Sequence, residues 1–328
     1  MVTVTRYTNA HQKNWDRWLD GSRNPCLLFY RDYMDYHADR FEDHSLLFHE
    51  EGRLVAALPA NRDKDALVSH GGLTYGGMIC DANMNTARML GVFEALSGYL
   101  ETAKVRSLLY KCLPHIYHTS PCEEDLFALF VHGAELARRD VSSAVFVPSA
   151  RVEPNRLRGA KKSASEGVEI RPSADIGAFM DMVSARLDEK YSQKAVHSAA
   201  EMTLLTGRFP KAIRLFGAYA EKELVAGALV YESPAVAHVQ YLSTNEKGRR
   251  LRALDLLLTR LLTEEYRNKR WFDLGTSTES GGSVVNETLF KQKEEFGATA
   301  LCQDAYELKT GAPRRPLKVR RNGTVAEL

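Results

Sequence analysis

The sequence predicts an α/β (α+β) protein with two related tandem domains, each a mixed, mostly antiparallel sheet flanked by helices. Three observations lead to this prediction. The 328 residues are enough for two domains of ordinary size. Both halves show the same order of elements, namely a helix, an apolar hairpin, a strand, a helix and a strand. The segments "EEGRLVAALPA" and "AEKELVAGALV" also resemble each other, which indicates an internal duplication.

In the first half, a helical segment lies near residues 11–20, and "SLLFHEEGRLVAALPANRD" predicts a hairpin with a glycine-containing turn. "NTARMLGVFEALSGYLETAKV" has apolar residues at helical spacing, and "SLLYKCLP" has the pattern of a strand. "EEDLFALFVHGAELARRD" predicts a second helix, and "VSSAVFVP" predicts another strand.

The second half begins with a basic helix, "PNRLRGAKKSASEG", which ends at Gly167, and the strand "VEIRPS" follows. "DIGAFMDMVSARLDEKY" and "SAAEMTLLTGRFP" predict helices. "AIRLFGAYAEKELVAGALVYES" predicts two strands around the turn "EKE", and "AVAHVQYLSTN" predicts a third. The remaining segments predict, in order, the amphipathic helix "LRALDLLLTRLLTEEYRNK", the strand "RWFDLG", the short helix "NETLFKQKEEFG" and the strand "ALCQDAYELKT".

Pro148 and Pro154 flank the segment where the two halves meet, so we predict domains at residues 1–150 and 151–310. Residues 311–328 are rich in proline, glycine and basic residues and lack an apolar period. They are therefore predicted to form a loose basic tail.

Composition limits the classes of function. The net charge of +2 argues against a dedicated nucleic-acid surface, although a local basic patch is still allowed. No apolar run is long enough to span a membrane, and the polar N-terminus does not resemble a signal peptide. The five cysteines are scattered and odd in number, which does not suit a disulfide framework. We therefore expect a cytoplasmic protein with no membrane span, and the oligomeric state stays open.

Four stretches in the second half resemble the FemAB-like branch of the GNAT acyltransferases. They are "RLRGAKKSASEGVEI", "HSAAEMTLLTGRFP" with the hairpin after it, "YLSTNEKGRRLRALDLLL", and "WFDLG" followed by "LFKQKEEFGA". In the first half, "SHGGLTYGGMI" and "LYKCLPHIY" resemble short members that are encoded with bacterial polysaccharide genes. The resemblance therefore spans most of the chain and implies two tandem GNAT-like domains.

The resemblance implies N-acyltransferase activity, with acyl-CoA as co-substrate rather than a permanently bound cofactor. The acceptor it implies is an amine or hydroxyl of a cell-envelope precursor such as an amino sugar, carried on a nucleotide or a lipid. One alternative is transfer from aminoacyl-tRNA, but the long helical arm often found in that branch is not evident, and the charge is near neutral. Another alternative is a non-catalytic binding module with a GNAT fold. No DNA partner is expected.

The donor loop of the resemblance falls on "NEKGRRLRAL", at the predicted start of a helix. Such loops hold a pyrophosphate through backbone N–H groups and the helix dipole. In this chain an arginine occupies the position where such loops usually have a second small residue, so the segment departs from the family's pattern. The alternative is an ordinary basic first turn of a helix. The predicted donor-binding residues are Asn245, Lys247, Gly248, Arg249 and Arg250.

Three residues are candidates for catalysis. Asp273, in "WFDLG", would orient the acceptor amine or act as its base, or it would simply cap a turn. Lys291, in "LFKQKEEFG", would bind an acceptor phosphate or the reacting carbonyl oxygen, or it would be a solvated helix lysine. Tyr241, on a central strand, would protonate the leaving thiolate, or it would be a core residue.

The basic helix holds Arg156, Arg158, Lys161 and Lys162. Such a run is commonly a solvated face, and it could also attract a phosphorylated acceptor or a tRNA backbone. Arg158 is therefore included among the candidate acceptor-binding residues.

"SHGGLTYGGMI" has neither the lysine of a phosphate loop nor the spacing of a dinucleotide loop. Its glycines permit sharp bends and close backbone approach. We predict that His70, Thr74 and Tyr75 line an acceptor pocket between the halves, with a purely structural turn as the alternative.

"CLPHIYHTSPC" places Cys112, His115, His118 and Cys122 within eleven residues. These could be zinc ligands, but Pro114 and Pro121 favour an extended chain and the spacing is not that of a zinc finger. We therefore predict no metal. Lys111, His115 and Tyr117 are instead predicted to face the acceptor.

Overall fold

The computed structural model describes residues 1–191, 195–321 and 324–327. The chain divides into two compact units, Met1–Arg139 with Cys302–Leu328, and Asp140–Leu301. These bounds differ from the predicted boundaries at 150 and 310. The last long strand pairs with a strand of the first unit, from Ala305↔Lys111 to Lys309↔Ser107, and this pairing returns the chain to that unit.

The helices and strands up to residue 146 are β1 Val2–Arg6, α1 Gln12–Asp20, α2 Arg31–Met34, β2 Glu42–Asp43, β3 Leu46–Glu50, β4 Arg53–Leu58, β5 Asn61–Asp63, β6 Ala66–Val68, β7 Ile79–Cys80, α3 Thr86–Thr102, β8 Ser107–Lys111, α4 Glu124–Val131 and β9 Glu135–Phe146. Those from residue 147 are α5 Pro154–Ser165, β10 Glu169–Ser173, α6 Ile176–Tyr191, α7 Ala199–Arg208, β11 Ile213–Ala220, β12 Glu223–Glu232, β13 Val236–Thr244, α8 Glu246–Arg250, α9 Ala253–Arg260, β14 Trp271–Thr276, β15 Thr278–Glu279, β16 Val284–Val285, α10 Glu287–Glu294, β17 Thr299–Lys309, β18 Lys318–Arg321 and β19 Thr324–Glu327.

The first unit contains a sheet with strand order β1-β3-β4-β7 and a second group ordered β17-β8-β6-β5-β2. Its core packs α3 against these strands, because α3 places Met89, Val92, Phe93, Leu96 and Leu100 on one buried face. The β3–β4 hairpin turns at Glu51 and Gly52, which both have positive φ. This unit therefore has the mixed, helix-flanked sheet that the sequence predicts.

The second unit has strand order β10-β11-β12-β13-β14-β9. All neighbours are antiparallel except β13 and β14, which are parallel. Helix α9 covers one face, where Leu257 and Leu258 pack with Ala237 and Val239 of β13. On the other face, Phe179 of α6 fills the space above Gly227 of β12.

The predicted fold class is confirmed, and the hairpins and long helices lie where the sequence places them. One helix prediction is wrong in part. The segment predicted as a helix from Glu123 to Asp140 is helical only over Glu124–Val131 and then becomes β9. Gly133 has a φ of +75°, a left-handed conformation that ends the helix and that glycine adopts without strain.

The predicted loose tail also differs from the structure, in which β18 and β19 pair as an antiparallel hairpin. The sequence between them is Asn-Gly, a strong hairpin signal that the prediction did not use. Among the described residues, no helix is both long enough and apolar enough to cross a bilayer.

Candidate active site

A fork between two parallel strands lies in the second unit. β13 and β14 pair at Val236↔Trp271, Ala237↔Phe272 and His238↔Asp273, where the pairing ends. Beyond this point β14 continues beside β9, at Thr276↔Ser142. The part of β13 after His238 is therefore an edge from which β14 has separated.

His238, Asp273 and Tyr241 lie on the same face of this sheet. Directly opposed residues share a face, and residues two apart on a strand also share one. His238 is opposite Tyr231 and Tyr241 is opposite Leu229, because a bulge between Val239 and Tyr241 adds one residue to β13. The bulge thus brings Tyr241 onto the face that His238 and its neighbour Asp273 occupy.

Asp273 is fully buried and accepts three hydrogen bonds. His238 Nδ1 lies 2.8 Å from Oδ2, while Oδ1 accepts from Ser142 Oγ at 2.9 Å and from the N–H of Gly275 at 2.8 Å. Three donors suit an ionised carboxylate. A carboxylate only accepts, so the hydrogen of the His238 ring lies on Nδ1 and leaves Nε2 as the basic nitrogen.

Lys293, not Lys291, is the lysine of α10 that points into this region. Lys291 is exposed, whereas Lys293 is buried and donates to the carbonyl oxygens of Gly275 at 2.8 Å and Thr276 at 2.7 Å. Burial lowers the pKa of Lys293 to about 8, against the opposing effect of Asp273. Lys293 therefore fixes the segment that follows Asp273.

Tyr241 contacts the start of α7. Its hydroxyl lies 2.7 Å from Nδ1 of His197 and accepts from the backbone N–H of the same residue at 3.2 Å. Burial raises the pKa of Tyr241, while the backbone N–H of His197, which donates to its hydroxyl, acts in the opposite direction. The phenol is thus neutral near pH 7 and sits among N–H groups.

A cavity of about 310 Å³ lies at the junction of α5, α8 and α9. Its lining is Arg156, Thr244, Gly248, Arg249, Arg252, Leu254, Asp255 and Gln292. Two of its arginines are held by the buried Asp255, which contacts Arg156 Nη1 at 2.7 Å and Arg252 Nε at 2.5 Å. Arg156 also pairs with Glu295, through Nε at 2.8 Å. Three arginines against two carboxylates leave one positive charge in excess, which makes the cavity suitable for an anion.

The structure brings only two of the five predicted donor-binding residues to this cavity, Gly248 and Arg249. Asn245 instead caps α8 by accepting from the N–H of Gly248 at 2.8 Å. Lys247 pairs with Glu221 and Glu223, and Arg250 pairs with Glu246. The N–H of Gly248 is therefore taken by the residue that caps its helix.

Gly248 is required for packing. A Cβ at this position would collide with the carbonyl oxygen of Val225 and with Oγ1 of Thr244. The glycine lets α8 approach β12 and β13 closely and so shapes one wall of the cavity. Arg158, also predicted to bind the acceptor, is exposed on α5 and does not line the cavity.

The glycine-rich segment of the first unit is a packed turn. His70 is buried against His37 and Phe41, with ring centroids at 5.4 and 5.6 Å. A Cβ at Gly72 would collide with the His37 ring, and one at Gly76 would collide with the Ser69 carbonyl. Burial, reinforced by His37, lowers the pKa of His70 to about 3. His70 is therefore a neutral residue packed in the core of the first unit.

The other predicted acceptor residues of this unit are divided between surface and core. Thr74 and His115 are exposed, while Tyr75 and Tyr117 are buried and stack with centroids 4.7 Å apart. Lys111 donates to the carbonyl of Leu73, and burial lowers its pKa to about 8. Within the described ranges, no group of three or more His, Cys, Asp or Glu side chains is arranged to hold a metal ion.

Three residues that were not predicted contact the predicted ones, namely His238 and Ser142 at Asp273 and His197 at Tyr241. Lys293, also not predicted, holds the segment that follows Asp273. His238 had a usable signal, because it is the one histidine in the apolar strand segment "VAHVQYL" and lies three positions before Tyr241. The others depend on contacts between elements far apart in the sequence.

Residues 153–282 match the sequence family described as the acetyltransferase (GNAT) domain. No curated protein is detectably similar in sequence to the chain. The chain is similar in structure to FemX, with a TM-score of 0.67 and 8% identity over 93% of this chain and 97% of that one. It is also similar to a C-terminal domain named for a lysylphosphatidylglycerol synthetase of Agrobacterium fabrum, with a TM-score of 0.60 and 12% identity over 92% of both chains.

A tandem GNAT protein of the clavulanic acid biosynthesis pathway has a TM-score of 0.52 and 14% identity, over 95% of this chain and all of that one. The forked parallel strands and the arginine-lined cavity both lie within the matched unit. Residues 153–282 are thus a GNAT acetyltransferase domain, and the chain has the FemAB-like GNAT fold.

Proposed function

We propose that the chain is an N-acyltransferase that moves an acyl group from acyl-CoA to an amine, or to a hydroxyl, of a cell-envelope precursor such as an amino sugar. The observation that carries the proposal is the hydrogen-bonded pair of His238 and Asp273 at the fork between β13 and β14. A ring nitrogen oriented by a buried carboxylate is suited to remove a proton from an attacking amine. The choice of an envelope acceptor rests on the sequence resemblance.

The cavity supports a donor that carries phosphate groups. Arg156, Arg249 and Arg252 line it together with polar groups of Thr244 and Gln292. Guanidinium groups bind phosphate oxygens through pairs of hydrogen bonds. The pyrophosphate of acyl-CoA would occupy this cavity, and the pantetheine arm would extend along the edge of β13 toward His238.

In this mechanism His238 and Tyr241 carry out the two proton transfers of the acyl transfer. The neutral amine attacks the thioester carbonyl, the C–N bond forms, and His238 Nε2 takes the proton that the nitrogen loses. The C–S bond then breaks, and the thiolate takes the phenolic proton of Tyr241. His238 releases its proton to water and the tyrosinate regains one from water, so the protein is unchanged after each turnover.

The test measures release of the CoA thiol and the mass of the acylated product. The full chain is incubated with acetyl-CoA and a panel of amino sugars, polyamines and amino acids. We expect one class of amine to be acetylated by the parent protein and at least a hundredfold more slowly by His238→Gln. Thiol release that is the same with and without protein, for every amine, would contradict the proposal.

One observation favours a second candidate, transfer from aminoacyl-tRNA. Helix α5 presents Arg158, Lys161 and Lys162 to solvent, and its Arg156 lines the cavity. Binding of tRNA by these residues would weaken steeply with salt. Filter binding of aminoacyl-tRNA at 50 and 200 mM salt, compared with an Arg158→Glu/Lys162→Glu variant, separates the candidates. A protein that binds acetyl-CoA without any turnover would instead be the non-catalytic module.

A further inference from the structure

His197 and Tyr241 form a contact that sequence analysis did not anticipate. His197 comes immediately before the helix cap Ser198 of α7, and it is buried. Its ring lies at 89° to the Tyr241 ring, with centroids 5.8 Å apart. Both Nδ1 and the backbone N–H of His197 are within hydrogen-bond distance of the same hydroxyl oxygen, at 2.7 and 3.2 Å.

The number of hydrogen bonds at this oxygen limits how the phenol can act. A tyrosine hydroxyl has one hydrogen to donate and two lone pairs that accept. The backbone N–H of His197 occupies one lone pair, because an amide nitrogen only donates. If Nδ1 also donates, both lone pairs are occupied, and the phenolic hydrogen must point to a third partner. If Nδ1 accepts, it takes that hydrogen.

We propose that His197 is a positioning residue for acyl transfer, which donates through Nδ1–H and its backbone N–H to Tyr241 and so directs the phenolic hydrogen toward the leaving group. This inference rests on the proposed function, in which Tyr241 protonates the thiolate. When the hydrogen leaves, the same two donors stabilise the phenolate, as donors stabilise an oxyanion. His197 acts through its contacts with the Tyr241 hydroxyl.

The backbone supports this arrangement. The bulge in β13 turns Tyr241 onto the face of His238 and Asp273, and α7 is fixed over that face by the contact of Tyr231 Oη with Met202 Sδ. Ser198 and Glu201 form a reciprocal cap at the start of α7, with Ser198 accepting from the Glu201 N–H and Glu201 accepting from the Ser198 N–H. The cap holds the preceding His197 against Tyr241.

The first experiment needs no substrate. 3,5-Difluorotyrosine is incorporated at position 241 of the full chain, and its ionisation is followed by fluorine NMR. Compared with the parent, His197→Leu, which keeps the size but not the donor, should raise the pKa at position 241 by about one unit or more. His197→Asn keeps a donor and should leave the pKa within about half a unit. No change, or a fall, in His197→Leu would show that Nδ1 does not donate and would overturn the inference.

The second experiment measures kinetics with acetyl-CoA and the amine that reacts fastest. His197→Leu should lower kcat about 10- to 100-fold while KM for acetyl-CoA stays within about threefold, and His197→Asn should restore most of kcat. Unchanged kcat in His197→Leu would overturn the inference alone. A parent protein without any transfer would instead defeat the proposed function, and the fluorine titration would still report on the contact.

Discussion

Asp273 and His238 are hydrogen-bonded at the last paired position of two parallel strands, with Oδ2 and Nδ1 2.8 Å apart. The pairing of the strands fixes both backbones, and Ser142 and Gly275 fix the carboxylate from its other oxygen. A base held this rigidly keeps one ring nitrogen directed away from the carboxylate. The arrangement therefore suits the role of base that we propose for His238.

Replacing Asp273 by asparagine should lower kcat about 100- to 10,000-fold, because an amide can no longer hold the hydrogen on Nδ1 of His238. KM for acetyl-CoA should change little. The measurement is thiol release by the folded variant, with Glu264→Gln as the control, since that exposed residue pairs only with Arg260 at 2.9 Å. A kcat within twofold of the parent would exclude this role for Asp273.

Lys293 should make the stability of the second unit depend on pH. Its pKa in the folded protein is about 8, below the ordinary 10.5, so the unfolded chain binds more protons between these values. The free energy of unfolding should therefore rise with pH from about 8 to 10.5, by up to about 1.4 kcal/mol per pH unit. Urea unfolding of Lys293→Met should show a smaller rise, because Lys111, whose pKa is also about 8, still contributes. Lys291→Met, exposed on the same helix, should retain it, and an identical slope in both variants would contradict the prediction.

His70 should make the free energy of unfolding depend on pH in the acid range. The folded pKa is about 3 and the ordinary value 6.5, so the unfolded chain binds the extra proton between these values. Stability present above pH 6.5 should be lost as the pH falls toward 3, by up to about 1.4 kcal/mol per pH unit. Urea unfolding of His70→Asn should show a smaller loss than the parent, whereas His115→Asn, at an exposed position, should match the parent. Equal losses in the parent and His70→Asn would show that His70 ionises in the fold.

Gly248→Ala should destabilise the second unit by about 1–3 kcal/mol, because the added methyl meets the backbone carbonyl of Val225. Gly207→Ala is the matched control. It lies in helix α7 with nothing within 4 Å of the added carbon, and it should stabilise by about 0.5 kcal/mol. Urea midpoints measure both effects. A Gly248→Ala protein as stable as the parent would remove the packing role assigned to this glycine.

Local patterns were sufficient to predict most elements of the fold. The hairpins carry apolar runs and turn signals, and helix α3 carries an apolar face, so each can be recognised without its partners. The helix predicted to continue past Val131 shows the limit of such patterns. Gly133 and the pairing of β9 override a segment whose composition favours a helix.

The candidate site was less predictable, because its contacts join distant segments. Asp273 and Tyr241 were predicted as site residues, but their partners His238 and His197 were not. Lys291 and Lys293 lie about 200° apart around a helix, so only packing shows which one is buried. The same holds for His70, since the aromatic residues that bury it come from another segment of the chain.

The most direct test of the account is calorimetric titration of the full chain with acetyl-CoA at low salt, comparing Arg249→Ala with Arg250→Ala. Both arginines are exposed on α8, but only Arg249 lines the cavity, while Arg250 pairs with Glu246 at 2.9 Å. We expect one acetyl-CoA to bind per chain, about tenfold more weakly to Arg249→Ala and within about twofold of the parent affinity to Arg250→Ala. No binding at millimolar acetyl-CoA, or equal weakening in both variants, would contradict the assignment of this cavity to the acyl donor.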